Sequence, residues 1–310
     1  MNTFGDNWRF TSFGESHGRA IGGVLDGVPA GLKIDFALIR EELDRRSGKR
    51  DTQSCPKEAE GVSQRALREP DEVEWLSGVL DGVTLGTPIA FIIRNQDARP
   101  EDYDYLKHHY RPGHADKVYE LKYGIRDWRG GGRASARETA GRVVAGCLAK
   151  QVLRSKGIII KARLVQVGTE NDPSKFDELI HAVRAEGDSI GGIIECRISG
   201  VPIGTGEPIF DKLQAHLAFA IMSINGCKGF DYGYGFAGVG LPGSQANKES
   251  GGISGGIADG SDIVFRCVFK PTPSTPKAGV KGRHDACIAV RAVPVVEAMT
   301  ALCIQNIVNS

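Results

Sequence analysis

"GGGRASARETAGRVVAG", residues 130–146, sets three glycines, two arginines and two hydroxyl side chains ahead of an apolar run. From Ala140 on, Val143, Val144, Cys147, Leu148 and Val152 recur on one face at helical spacing, which predicts a helix over 135–156. Ser135 with Glu138 three residues later has the form of a capping box at its entrance. The glycines allow backbone N–H groups to approach an anion, and the helix behind them presents unpaired donors and a positive dipole end. Arg133 and Arg137 add full charges there. The stretch is therefore either the start of a core helix after a loose loop or an anion seat, and the surrounding sequence has to separate the two.

Working outward, β-branched or alternating runs bounded by glycine, proline or aspartate predict strands at 9–14, 72–80, 88–94, 157–168, 191–199 and 261–271. Helices are predicted at 35–46, 174–186, 209–224 and 290–307 besides 135–156. "VLDGVPAG" (24–31) echoes "VLDGVTLG" (79–86), each after an apolar run, which predicts two related β units packed together. No linker of disordered composition divides the chain. The reading is an α+β fold, one domain over residues 1–310 with an internal pseudo-repeat.

A formal net charge of +1 gives no bulk bias toward nucleic acid or acidic membranes, so any anion site must come from local clusters. Seven cysteines without a CxxC pair, several inside apolar runs, read as reduced core residues of a cytoplasmic protein. No basic-then-apolar leader opens the chain, and no window is expected to span a membrane.

Three histidines stand beside an acid and a glycine or arginine, in "GESHG" (14–18), "RPGHAD" (111–116) and "GRHDAC" (282–287). Arginines follow the same places: Arg45 and Arg46 with Lys49 and Arg50, then Arg111, Arg129, Arg133 and Arg137, then Arg283. The guanidinium fork matches carboxylate and phosphate, although "DRRSGKR" also suits a solvated helix end. A second glycine-rich stretch, "SGGISGGIADG" (250–260), followed by "FKPTPS" (269–274), offers bare backbone, Lys270 and hydroxyls to an anion. No Walker A loop or GxGxxG fingerprint is present. The residues describe a basic cleft for a polyanionic small molecule, with histidine–acid pairs around it.

Taken in order, "TSFGESHG", "RPGHADKVYELKYGIRDWRGGGRASARETA", "SING", "GGISGGI", "FKPTPS" and "GRHDACIAVRAVPVVEAM" resemble the chorismate synthase family from residue 11 to residue 299. The resemblance implies a β-α-β sandwich, assembly as a homotetramer, and reduced FMN (FMNH2) used without net redox change. The implied reaction eliminates phosphate and a ring proton from 5-enolpyruvylshikimate 3-phosphate to give chorismate. The family's catalytic residues fall on His17 with Ser16 beside it, on His114, on Asp285, and on Ser135. Flavin contacts fall on Arg133, Ala134, Ser135, Asn225, Gly226, Gly255, Lys270, Pro271, Thr272, Pro273, Ser274 and Arg283. Substrate contacts fall on Arg46, Arg111 and Arg137. Arg283, two positions before Asp285, is placed to orient that carboxylate or lower its pKa.

Departures are few. "RRSGKRDTQSC" replaces the Arg-Arg-Arg-Pro-Gly continuation common in the family, so nothing is assigned in that loop beyond Arg46. Ala134 stands where serine is common and Gly226 where alanine is common. The chain is compact after Gln166, between Gln245 and Gly251, and between Ser274 and Gly282, where relatives carry longer loops. Without a Rossmann fingerprint, reduced flavin is expected from an external source and not from NADPH oxidation by this chain. Read without the resemblance, His17, His114, Asp116, His284 and Asp285 would also suit a zinc- or manganese-dependent phosphohydrolase.

Overall fold

The computed structural model describes residues 1–49, 63–246, 250–280 and 284–308. The chain begins with β1 (Thr3–Phe4), β2 (Arg9–Gly14) and β3 (Ala20–Asp26), then α1 (Phe36–Ser47) and the short α2 (Gln64–Arg68). β4 (Val73–Trp75), a hairpin of β5 (Val79–Leu80) and β6 (Val83–Thr84), and β7 (Ile89–Arg94) follow. The first sheet is antiparallel in the order β1-β2-β3-β7-β4.

After α3 (Asp116–Tyr123) and α4 (Thr139–Ser155) come β8 (Ile159–Val167), α5 (Phe176–Ala185), β9 (Gly192–Ser199), α6 (Leu213–Met222) and β10 (Cys227–Tyr232). The last elements are α7 (Gly243–Ala246), a hairpin of β11 (Ile253–Ser254) and β12 (Ile257–Ala258), β13 (Ile263–Phe269) and α8 (Ile288–Val308). The second sheet is antiparallel in the order β10-β13-β9-β8.

Between the sheets lies a helix layer. α4 packs on the first sheet, α8 on the second, and the two helices pack on each other. Their approach is set by Gly146, where a Cβ would come within 2.4 Å of the Ala298 Cβ. Val143, Val144, Leu148 and Leu153 of α4 are fully buried, and each such side chain contributes roughly 1.5–3 kcal/mol on leaving water. The β-α-β sandwich and the α+β class implied by the sequence are what the chain forms.

β3 escapes the alternation rule because Gly22 and Gly23 dilute it. A Cβ on Gly23 would meet the Phe10 ring at 2.3 Å, and one on Gly22 would meet the Phe91 carbonyl oxygen at 2.4 Å. The two VLDGV stretches end side by side: the N–H of Gly31 donates to the Thr84 carbonyl at 2.8 Å, and that of Thr84 to the Leu32 carbonyl at 3.0 Å.

Three local expectations need correction. The capping box does not form: Ser135 Oγ accepts from the Arg137 N–H at 3.3 Å, while the Glu138 carboxylate pairs with Arg142 at 3.0 Å. The first turn is tight 3-10 helix, and the Ser135 N–H that Glu138 would have capped already donates to the Gly132 carbonyl at 3.4 Å. Second, α8 is long and apolar enough to cross a membrane, but 94% of that stretch is buried inside the protein. It is a core helix.

Third, the end of α1 is not a solvated cluster. Arg45 turns into the helix layer, where it pairs with Glu42 at 2.8 Å and Glu297 at 3.0 Å. Lys150 joins both carboxylates, and the Ala162 N–H donates to Glu297 at 2.8 Å. Two cations thus balance two carboxylates. Burial would push the Glu297 carboxyl up, but Lys150 and Arg45 hold it well below the usual range.

Candidate active site

The glycine triplet is a strip laid between two imidazoles. Gly130, Gly131 and Gly132 all have positive φ, at 60°, 88° and 53°. A Cβ on Gly130 would fall 2.0 Å from Nδ1 of His17, and one on Gly131 would fall 2.7 Å from Cε1 of His114. Consecutive residues of one loop therefore touch two of the histidines that the sequence singled out, and a side chain at either position would have to displace an imidazole.

His17 is buried in the turn between β2 and β3. Asn95, just after β7, holds that turn by donating to the carbonyls of Glu15 at 3.0 Å and Gly18 at 2.9 Å. Ser16 Oγ lies 2.9 Å from Nδ1 of His17 and donates to the Gly130 carbonyl at 3.2 Å. Arg65 on α2 reaches underneath, with Nη1 3.4 Å from both ring nitrogens and Nη2 donating to the Ser16 carbonyl at 2.5 Å. Tyr103 meets the ring edge-on at 4.7 Å between centroids. Burial, then the nearby charge of Arg137, lowers the pKa of Arg65.

His114 stands in the turn before α3. Its Nδ1 is 2.8 Å from Oδ1 of Asp116 and 3.1 Å from Nη2 of Arg111. Asp116 also takes Nε and Nη2 of Arg111, both at 2.8 Å. The neighbouring Gly113 carbonyl accepts from Lys270 Nζ at 2.9 Å, which ties the "FKPTPS" segment to this turn.

Asp285 is buried at the entrance to α8, and its carboxylate is held by Arg291 at 2.9 Å and by the Ser63 N–H at 2.8 Å. Arg283, expected to orient it, lies outside the described residues; Arg291, one turn and a half further along α8, takes that part. Arg291 also donates to the Arg46 carbonyl at 2.9 Å.

Arg46 is fully buried and gives Nη2 to Asp71 at 3.0 Å, while Arg137 binds the other oxygen of Asp71. Burial would raise the Asp71 carboxyl, but Arg46 and Arg137 bring it down to about 2. Burial outweighs Asp71 at Arg46, whose pKa falls to about 10. Among the described residues, Nε and Nη1 of Arg46 have no hydrogen-bond partner. Unsatisfied buried guanidinium donors are what an anionic ligand would complete.

Most of these side chains line one cleft of about 1360 Å³, with Ser16, Asp71 and Asn95 behind them. Its walls carry eleven Arg and Lys against six Asp and Glu, so a chain of net charge +1 concentrates its positive charge here. The volume exceeds the usual size of a pocket for one small ligand. Arg133, Ala134 and Ser135 form one wall; Arg133 is tied to β2 through Ser12 Oγ at 2.6 Å, and the Ala134 carbonyl accepts from Asn225 at 2.9 Å. Gly226 and Lys270 through Ser274 also line the cleft, as do the buried Arg46, Arg111 and Arg137 with His17, His114 and Asp285.

Two expectations fall elsewhere. Gly255 is on the exposed turn between β11 and β12, outside the cleft of its own chain. The "SGGISGGIADG" stretch around it is pinned by Asp259, which accepts from Ser250 at 2.6 Å and Ser261 at 2.5 Å. Its glycines serve close backbone packing: a Cβ on Gly252 would meet the Asp262 carbonyl oxygen at 2.5 Å. Among the described residues no three His, Cys, Asp or Glu side chains converge to hold a metal ion. Asp116 and Asp285 are both taken by arginine, which leaves the phosphohydrolase reading without support.

Arg65, Tyr103 and Arg291 were missed from the sequence. Arg291 carried a usable signal, since a charged residue inside the apolar run of α8 must find a partner.

The family model described as chorismate synthase matches residues 8–308. The chain belongs to the chorismate synthase family. It is accordingly a carbon–oxygen lyase acting on a phosphate ester. It is 44% identical to the chorismate synthase of Phocaeicola vulgatus over 357 aligned positions, covering 98% of this chain and 96% of that protein. It is 45% identical to that of Bacteroides thetaiotaomicron with the same coverage, and 45% identical to that of Azobacteroides pseudotrichonymphae, covering 98% of each. These alignments run longer than the 310-residue chain, so the relatives carry internal insertions that it lacks. A crystal structure of chorismate synthase superposes with a TM-score of 0.75 at 29% identity, covering 98% of this chain and 92% of that one.

Proposed function

We propose that this chain makes chorismate from 5-enolpyruvylshikimate 3-phosphate in the presence of reduced FMN, by 1,4-elimination of phosphate and a ring proton. The observation that carries the reading is the cation-rich cleft in which one glycine strip touches His17 and His114 together. The cleft has room for two anionic ligands side by side, and the unsatisfied donors of Arg46 fit phosphate or carboxylate. Arg133, Ala134, Ser135, Asn225, Gly226 and Lys270 through Ser274 would hold the flavin; Arg46, Arg111 and Arg137 would hold the substrate.

When bound, reduced FMN supplies electron density to the reacting ring without net redox change. His17, with Ser16 on its Nδ1, gives a proton to the departing phosphate. His114 would present the basic Nε2 to the cleft, where it takes up a proton and passes it on at the side that would hold the flavin. Asp285, kept in place by Arg291, is the basic group at which the ring proton ends. Arg65 adds positive charge beside His17 that favours arrival of a phosphate dianion.

We further infer that the chain works as one domain over 1–310 in a cytoplasmic homotetramer and takes reduced flavin from an external source. One continuous hydrophobic core shared by both sheets supports the first point. Exposed Phe210, Phe236 and Val239 favour an assembly that covers them.

Anaerobic incubation with enolpyruvylshikimate phosphate and pre-reduced FMN, with and without NADPH, tests the proposal. The expected result is equal release of phosphate and chorismate without NADPH. Phosphate release without chorismate would point to hydrolysis and sink it.

A further inference from the structure

The Asp116 carboxylate is enclosed by Arg111 and His114 together. Oδ2 takes the Arg111 backbone N–H at 3.1 Å and its Nε–H at 2.8 Å. Oδ1 takes Arg111 Nη2 at 2.8 Å and faces His114 Nδ1 at 2.8 Å. Two oxygens offer about four acceptor sites; Arg111 fills three, and the fourth faces His114 Nδ1. The side chain is buried at 2% exposure, so water cannot substitute for any of the four.

We propose that Asp116 is a positioning residue. It fixes His114 in the tautomer with hydrogen on Nδ1, turns the lone pair of Nε2 to the cleft, and locks Arg111 in the same motion. This rests on the active-site reading above and extends it to a residue given no role there.

The chemistry follows from the acceptor count. A carboxylate has no hydrogen to give, so a ring nitrogen 2.8 Å away satisfies it only by donating. The nitrogen that donates decides which one is left basic. Arg111 Nη2 also lies 3.1 Å from the same Nδ1 and, as a donor only, favours the opposite tautomer; the Asp116 carboxylate competes for that nitrogen at 2.8 Å with a full negative charge. The charged and titratable groups around His114 are Arg111 and Asp116 in direct contact, with Lys270 held on the Gly113 carbonyl and His284 in electrostatic contact with Arg111. Burial would raise the Asp116 carboxyl, but hydrogen bonds from Arg111 and His114 hold it far below the ordinary range, so it remains an acceptor at any working pH.

Asp116→Asn replaces one oxygen by NH2, a donor. Arg111 cannot change its donors, whereas the imidazole can, by moving its hydrogen to Nε2 and accepting at Nδ1. The same substitution behind the histidine of a serine protease, where the wrong tautomer lowers turnover about 10⁴-fold, is the reference case for this logic.

The test is long-range proton–nitrogen NMR of the imidazoles, with His114→Ala to assign the signal, alongside turnover. In the wild-type protein His114 should carry hydrogen on Nδ1. In Asp116→Asn it should carry hydrogen on Nε2, with turnover down roughly 10²–10⁴-fold. Asp116→Glu should restore the wild-type tautomer. A wild-type signal with hydrogen on Nε2 overturns the proposal without any variant, even if Asp116→Asn fails to fold. An unchanged tautomer in folded Asp116→Asn overturns it too. If the wild-type protein forms no chorismate, the function reading fails while the tautomer result still decides the role of Asp116.

Discussion

Gly130→Ala should be the most informative single substitution, because its effect separates into two parts that the fold allows to be measured apart. Placing alanine at φ 60° costs about 1–2 kcal/mol from left-handed backbone alone. The new methyl would lie 2.0 Å from His17 Nδ1 and 2.9 Å from Ser16 Oγ, so the imidazole must move. Overpacking of that kind costs a further ~1–3 kcal/mol. Gly157→Ala is the matched control: it has φ 80°, but nothing lies within 4 Å of its would-be Cβ. Urea unfolding should show Gly157→Ala losing only the backbone part, and Gly130→Ala losing both. Turnover should separate them more widely. Gly157→Ala should match the wild-type rate, whereas Gly130→Ala should lose the contribution of His17, on the order of 10²–10⁴-fold. If the two variants unfold at the same urea concentration and Gly130→Ala turns over normally, the glycine strip does not position His17 and the reasoning is wrong.

Asp285→Asn keeps the size of the side chain but removes its basicity, so chorismate formation should fall 10²-fold or more while FMN affinity by titration changes little. Arg291→Met leaves the Asp285 carboxylate buried without its cation and should destabilise the protein by about 3–5 kcal/mol in urea unfolding; Arg291→Met combined with Asp285→Asn should recover part of that loss. The pH dependence of stability follows from Asp71. Its folded pKa, about 2, lies below the ordinary 3.8, so its contribution is complete above about pH 4 and disappears as pH falls toward 2. The shift corresponds to roughly 2 kcal/mol. Asp71→Asn should flatten that part of the stability profile measured between pH 5 and 2.

The sandwich was legible because its central helices announce themselves. α4 and α8 are long apolar runs, and three strands of the second sheet, β8, β9 and β13, alternate along most of their length. β3 was not, since Gly22 and Gly23 are required by the rings and backbone packed on them and remove the alternation that marks a strand. The capping signal at Ser135 was genuine chemistry in the wrong register: its oxygen does cap, but on the Arg137 N–H of a 3-10 turn. Spacing in sequence cannot distinguish the two turns, because either one brings residues three apart close together.

In the site, what sequence could name were residues in short motifs, and what it could not name were partners that only the fold supplies. His114 and Asp116 are two residues apart, so their pairing was within reach; His17 and Arg65 are brought together by α2, after a stretch that departs from the family pattern. The same holds for the triplet that opened the question. Its glycines suggested an anion seat, yet Gly130 and Gly131 are needed chiefly because His17 and His114 occupy the space where side chains would go. The charge that attracts an anion comes from elsewhere, from Arg46 at the end of α1 and Arg65 on α2, with Arg111 and Arg137. A loop that must pass between two histidines can be built only of glycine, and bare backbone at that place also leaves the cleft open beside both of them. One steric requirement therefore accounts for Gly130 and Gly131 without any direct contact between them and a ligand.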